Sequence, residues 1–250
     1  MSTEKTSNSK SEEREDRWKS IYKLGGISAL AAAILFRRWL SAELSLFSNF
    51  NIIKEVPHTI EGWFGLLQSN PVIALVHLNA LDLINYALVG LIFLAVFAAL
   101  RKASRGMMTL ALILTFSGIV LFFSSNQAFS LLSLAGQYAE AATETQRTVL
   151  LAAGQTLLTM NDALCFGTGV FWAYIFVTTA GLLMAVGMLR SSVFSRITAV
   201  FGMIANVIGL GYFFTAAFAP SLSFIPFSGS APFLLVWYIL IGLRLLKISR

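Results

Sequence analysis

The chain has 250 residues, 57% of them hydrophobic and only 12% charged, with a formal net charge of +6. A soluble domain carries about a quarter charged residues, so this composition, with a mean hydropathy of +0.76, excludes an ordinary water-soluble fold. The positive charge is not a nucleic-acid signature either, because most of it sits in short gaps between apolar runs, where it orients a chain against anionic headgroups.

The first twenty residues hold five acidic and five basic side chains among Ser, Thr and Asn. This composition cannot bury enough apolar surface to fold, so 1–20 reads as a disordered cytoplasmic tail. Residues 21–250 then form one membrane domain. The 13-residue apolar run from Leu24 to Phe36 has the length of a signal-peptide core. The long acidic tail before it and Arg37-Arg38 immediately after it favour a retained first span instead.

Six membrane-spanning helices are predicted, at about 21–42, 79–100, 107–130, 166–189, 196–218 and 231–248. The runs lack strand alternation, and only helices or closed barrels satisfy the backbone in hydrocarbon. The expected fold is therefore all-α: a polytopic six-helix transmembrane bundle. Arg101, Lys102 and Arg105 fill one gap, Arg190 and Arg196 another, and Arg244, Lys247 and Arg250 lie at the end. Cations stay on the cytoplasmic side, which places both termini in the cytoplasm. Pro232 is expected in the first turn of the last helix.

Two of the opposite, outer gaps are long. The first contains the amphipathic stretch Thr59 to Leu67, expected to lie in the outer interface. Asn70-Pro71 looks like a helix start, which would make the second helix about 30 residues long. The second gap contains Thr143-Glu144-Thr145-Gln146, which fits a capping box. The helix it opens either docks on the outer surface or continues into the fourth span, with Asn161-Asp162 and Gly167-Thr168-Gly169 as break points. A faint parallel repeat links Gly90 through Phe123 with Gly181 through Phe214; hairpins with basic turns produce the same likeness without duplication.

Ionisable groups inside a bilayer are costly, so their positions are the best functional clue. Arg37 lies 14 residues past Lys23, roughly 21 Å along a helix. Asn79, Asp82, Asn85 and Tyr86 share one helix face at the outer end of the second span. Asn126 and Gln127 end the third span at that level, Asn161 and Asp162 precede the fourth, and Tyr212 and Thr215 lie in the outer half of the fifth. The sharp reading is an outward-facing polar pocket lined by Arg37, Arg38, Asp82, Asn126, Gln127, Asn161 and Asp162. The plain readings stand beside it. The arginines snorkel, Asp82 forms a structural pair, Asp162 caps a helix, and Asn126 and Gln127 satisfy a helix end. Asn206 reads as interhelical glue.

No enzyme motif survives inspection, so no catalytic residue is assigned and a non-enzymatic protein is favoured over an enzyme. Glu12-Glu13 with Arg17 matches the letters of a prenyl-protease motif but lies in the tail. No H-E-x-x-H and no phosphate-binding glycine loop is present. Cys165 is the single cysteine and the histidines are two, so no cofactor and no metal site is expected.

The chain resembles the bacterial membrane family called domain of unknown function 4386. The likeness rests on Asp82-Leu83 opening the second span, Asn126-Gln127-Ala128 after the third, and Ser195-Arg196-Ile197 leading to Gly209-Leu210-Gly211-Tyr212. Family members often carry a histidine before the fourth span; Asn161-Asp162-Ala163 stands there instead. The resemblance implies a six-helix membrane fold and no activity. The expected setting is the inner (plasma) membrane, with membrane lipids as partners, no nucleic acid, and a homo-oligomer left open. Three functions follow in order of preference: binding a lipid or small amphiphile in the outer pocket, transport with Asp82 as coupling carboxylate, and lipid modification by Asp82 and Asp162 as an acid–base pair.

Overall fold

A computed structural model describes residues 18–35, 57–162 and 165–250. Among these, every regular element is a helix. Helix α1 covers 18–35. Four shorter helices are α2 (Ile60–Ser69), α3 (Pro71–His77), α6 (Ala128–Glu140) and α7 (Glu144–Asn161). The long ones are α4 (Ala80–Leu100), α5 (Arg105–Ser125), α8 (Gly169–Leu189), α9 (Arg196–Phe218) and α10 (Phe224–Ile248).

Five helical stretches are long and apolar enough to cross a membrane: α4, α5 with its continuation α6, α8, α9, and Pro220 to the end of α10. Their outward faces carry Ile84, Ile113, Val120, Val207, Phe214 and Leu243, all exposed. Water would tolerate no such continuous apolar surface on a monomer, whereas lipid solvates it. The protein is therefore membrane-embedded. The predicted first span, 21–42, is helical to residue 35, and its remainder lies outside the described residues, as does the 1–20 tail up to residue 17.

The long helices close into a ring. Helices α4, α5, α8, α9 and α10 pack in that sequence of neighbours, and α1 seals α10 back to α4. Small residues permit this last contact, as in many membrane helix pairs. A Cβ on Gly25 would collide with Ala95, and one on Gly26 would stand 2.8 Å from Leu246. The core of Ile92, Phe93, Val96, Met184, Met188, Trp237 and Ile241 fills the interior.

One end of the bundle is basic. It gathers Arg101 and Arg105 between α4 and α5, Arg190 and Arg196 between α8 and α9, and Lys247 near the end of α10. The Arg101 guanidinium lies 3.5 Å over the Trp18 ring, and Arg244 Nε donates to the Val193 carbonyl. At the far end, α2, α3, α6 and α7 build a separate cap around Phe64, Leu67, Ala74 and Leu131. Helix α5 alone, at 21 residues, rises about 31 Å and suffices for a hydrocarbon core of about 30 Å. Helix α6 is therefore not needed to cross that core.

Four expectations need correction. The second helix does not run 30 residues from Pro71, because Asn79 adopts the left-handed conformation (φ 62°) and splits it into α3 and α4. The third helix ends at Ser125 rather than continuing to 130. The apolar face of α2 (Ile60, Trp63, Phe64, Leu67) is buried, packed with Leu131 and Ala135 of α6 in the cap core rather than turned to a lipid interface. Pro232 is internal to α10, which begins eight residues earlier at Phe224. A membrane helix tolerates such a proline when nearby groups re-satisfy the freed backbone. The capping box is present: the Thr143 hydroxyl accepts from Gln146 N while the Gln146 side chain reaches back to Thr143 N. It opens α7, which stops at Asn161, so this helix belongs to the cap and does not continue into the fourth span.

Candidate functional site

The predicted polar residues fall into two sets at different depths. The first is a knot of amides where the cap meets the bundle. The left-handed turn at Asn79 leaves the Leu78 carbonyl without its usual helical donor. Asn161 Nδ2, from the end of α7, donates to it at 3.0 Å. Asn161 Oδ1 accepts from Gln127 N at 2.7 Å, and Asn126 Nδ2 donates to the Asn79 carbonyl at 3.2 Å. Asn126 Oδ1 also accepts from Ala128 N, starting α6. Three interruptions (α3 to α4, α5 to α6, and the end of α7) are thus fastened at one level. Asn161 is only 3% exposed, and both ends of its amide are used.

Asp82 lies in the first turn of α4, where the helix dipole favours a carboxylate. It is half-buried. Asp162 is the residue that ends α7, and its carbonyl accepts from Cys165 N at 3.2 Å. It does not cap the fourth span; Thr168 does, its hydroxyl accepting from Phe171 N at 3.1 Å. Arg37 and Arg38 lie outside the described residues. The structure thus joins Asn126, Gln127 and Asn161 directly, and sets Asp82 one helical turn from the Asn79 break.

The second set lines a cavity of about 70 Å³ inside the bundle, between α4, α8, α9 and α10. Its walls include Asn85, Tyr86, Phe93, Tyr174, Thr178 and Tyr238, with Asn206 contributed by α9. Counted from the basic ends of their helices, these residues stand seven to fifteen positions in, so the cavity lies near mid-span. Asn85 Oδ1 is buried without a hydrogen-bond partner. In a low-dielectric interior an unsatisfied amide oxygen costs about 1–3 kcal/mol. Thr178 and Ser230 flank the Tyr174 hydroxyl, and Tyr86 stacks on Phe122 with ring centroids 4.0 Å apart.

Glycines set the shape of these walls. A Cβ on Gly181 would collide with the Asn206 amide, and one on Gly209 would approach the Tyr174 hydroxyl to 2.8 Å. Asn206 Nδ2 donates to Gly202 O of its own helix at 2.7 Å. The expected glue therefore binds within α9 while its oxygen presses on α8.

Sequence reasoning found Asn85, Tyr86 and Asn206 but missed Tyr174, Thr178 and Tyr238 as partners. Tyr174 and Thr178 are one helical turn apart, at a depth comparable to Asn85 once both helices are measured from their basic ends. That depth match was the available signal. It was obscured because tyrosine in a membrane helix usually reads as an interfacial anchor.

The class defined by this architecture is a multi-pass, all-helical membrane protein with a polar cavity inside its bundle. No protein-family model, curated protein or solved structure matches the chain.

Proposed function

We propose that this is a non-enzymatic membrane protein that binds the polar end of a lipid or small amphiphile. The observation carrying the reading is the mid-span cavity, with aromatic and amide walls and an unpaired Asn85 Oδ1. Ligand sites in membrane bundles are built this way, concave and mostly apolar with a few convergent polar groups. The six-span count, cytoplasmic termini, inner-membrane setting and kinship with the domain of unknown function 4386 family belong to the same proposal. Arg37 and Arg38, which lie outside the described residues, enter the same proposal as headgroup contacts expected from the sequence.

The test is native mass spectrometry of the protein extracted in mild detergent, followed by delipidation and lipid add-back. A retained amphiphile, displaced in an Asn85→Leu variant, is the expected result. Absence of any bound species, together with a melting temperature unmoved by every lipid class, overturns the reading.

A second reading is favoured by one feature, the depth of the cavity. Secondary transporters hold their substrates near the bilayer midplane, and Asp82 is one turn outward of Asn85 and Tyr86. Transport predicts liposome flux that an Asp82→Asn variant loses. Flux indifferent to that change counts against it.

A further inference from the structure

We infer that the mid-span cavity is selective for a primary ammonium group; the inference rests on the binding role proposed above and names the chemistry bound. Four aromatic side chains, Tyr86, Phe93, Tyr174 and Tyr238, share the walls of a space of about 70 Å³. Aromatic enclosures attract cations through the negative faces of the rings, most strongly where water is excluded. Two buried polar atoms in these walls lack a hydrogen-bond partner, Asn85 Oδ1, which only accepts, and the Tyr174 hydroxyl, whose oxygen also accepts. A ligand that donates to both oxygens satisfies them together.

Charge placement agrees. No lysine, arginine or histidine lines the cavity, and the nearest basic residue along α4 is Arg101, 16 residues from Asn85, about 24 Å along the helix. Asp82 lies one turn outward on the same helix face as Asn85 and Tyr86. A cation entering from that end meets a carboxylate first, then an amide oxygen, then the rings. An anion meets no positive charge among the residues that line the cavity.

Hydrogen bonding narrows the choice. The space accommodates an ammonium nitrogen with its adjoining methylene. A trimethylammonium group, with four carbons around nitrogen, has no N–H to offer Asn85 Oδ1. The ammonium has three N–H donors for Asn85 Oδ1 and the hydroxyl oxygens of Tyr174 and Thr178. The group is supplied either by a phosphoethanolamine headgroup or by a free amine.

The test uses the full chain in nanodiscs, with thermal stability and isothermal titration as readouts. Three arms are compared: phosphatidylethanolamine, ethylamine in a phosphatidylglycerol background, and phosphatidylcholine. Preference for phosphatidylethanolamine over phosphatidylcholine by tenfold or more assigns the group to a lipid. Binding of ethylamine alone assigns it to a soluble amine and joins it to the transport reading. Asn85→Leu is expected to weaken either by about tenfold, whereas Asn85→Asp, which keeps the shape and adds a negative charge, strengthens it. A gain cannot arise from misfolding. Equal binding of phosphatidylcholine and phosphatidylethanolamine, or weaker amine binding by Asn85→Asp in a protein of unchanged melting temperature, overturns ammonium selectivity and leaves amphiphile binding standing. No response to any arm overturns both.

Discussion

At the scale of single residues, the amides at the far end matter more for holding helices together than their count suggests. Asn161 is buried and serves two backbone groups from two other segments, Leu78 O and Gln127 N. Asn161→Ala strands both, and each buried backbone group left unpaired costs about 1–3 kcal/mol. A loss of about 2–4 kcal/mol is expected, read as a lower melting temperature of the purified protein. Asn161→Asp should be no better, because a carboxylate has no donor for the Leu78 carbonyl. Asn79 makes a different point. Its φ of 62° is reached by glycine without strain and by β-branched residues only at a cost of about 1–3 kcal/mol. Asn79→Gly is expected to melt with the parent, and Asn79→Val well below it. Equal melting of both variants would show that the left-handed turn is not what ends α3. Asp82 sits just past this turn in the first turn of α4, so the break and the dipole together explain why an acid is tolerated there.

At the scale of elements, close approach is the recurring device. Helix α1 reaches the bundle because Gly25 and Gly26 face Ala95 and Leu246, and Gly242 of α10 faces Leu30 with Gly26 O 3.1 Å from where a Cβ would stand. Gly26→Leu must displace backbone rather than a flexible side-chain tip, since Leu246 N itself lies 3.1 Å from that Cβ position. Overpacking of this kind costs about 1–3 kcal/mol. The expected result is selective release of α1, seen as faster proteolysis near Trp18 while the melting of the remaining bundle is largely kept. The same elements show what could be read in advance. The fifth span was legible to the residue, 196–218, because Ser195 is a strong cap and the run is uninterrupted. Helix α7 was legible because its capping box is a local signal. The division of the second helix was not, because αL at Asn79 is stabilised by Asn126 and Asn161, 47 and 82 residues later in the chain. The face of α2 was misassigned for a related reason. Its spacing reveals an apolar stripe but not whether lipid or α6 covers it. The cavity was half legible: polar residues declare themselves along a helix, but which helices meet at one depth is set by packing.

At the scale of the whole molecule, the apolar belt and the basic end together imply one orientation. Arg101, Lys102 and Arg105, with Arg190 and Arg196, crowd the end opposite the cap, while the exposed side of α7 presents Thr145, Gln155, Thr156 and Thr159. Those polar groups favour water at the cap end, and the exposed apolar side chains Ile84, Val120, Val207 and Phe214 lie on the long helices. Moving a cation cluster across the bilayer is far less favourable than leaving it on the synthetic side. The basic end is therefore expected in the cytoplasm and the cap outside. The single native cysteine, Cys165, makes the test direct: in a Cys165→Ser background, cysteines replace Lys102 in the α4–α5 turn and Ala141 in the α6–α7 turn. A membrane-impermeant thiol reagent added to intact cells should label the Ala141→Cys variant and spare Lys102→Cys until the membrane is opened. Labelling in the reverse sense would invert the protein, and the Asp82 end of α4 would then face the cytoplasm. Labelling of both from one side would mean that the chain between them crosses the bilayer an even number of times, which α5 as a single crossing does not allow.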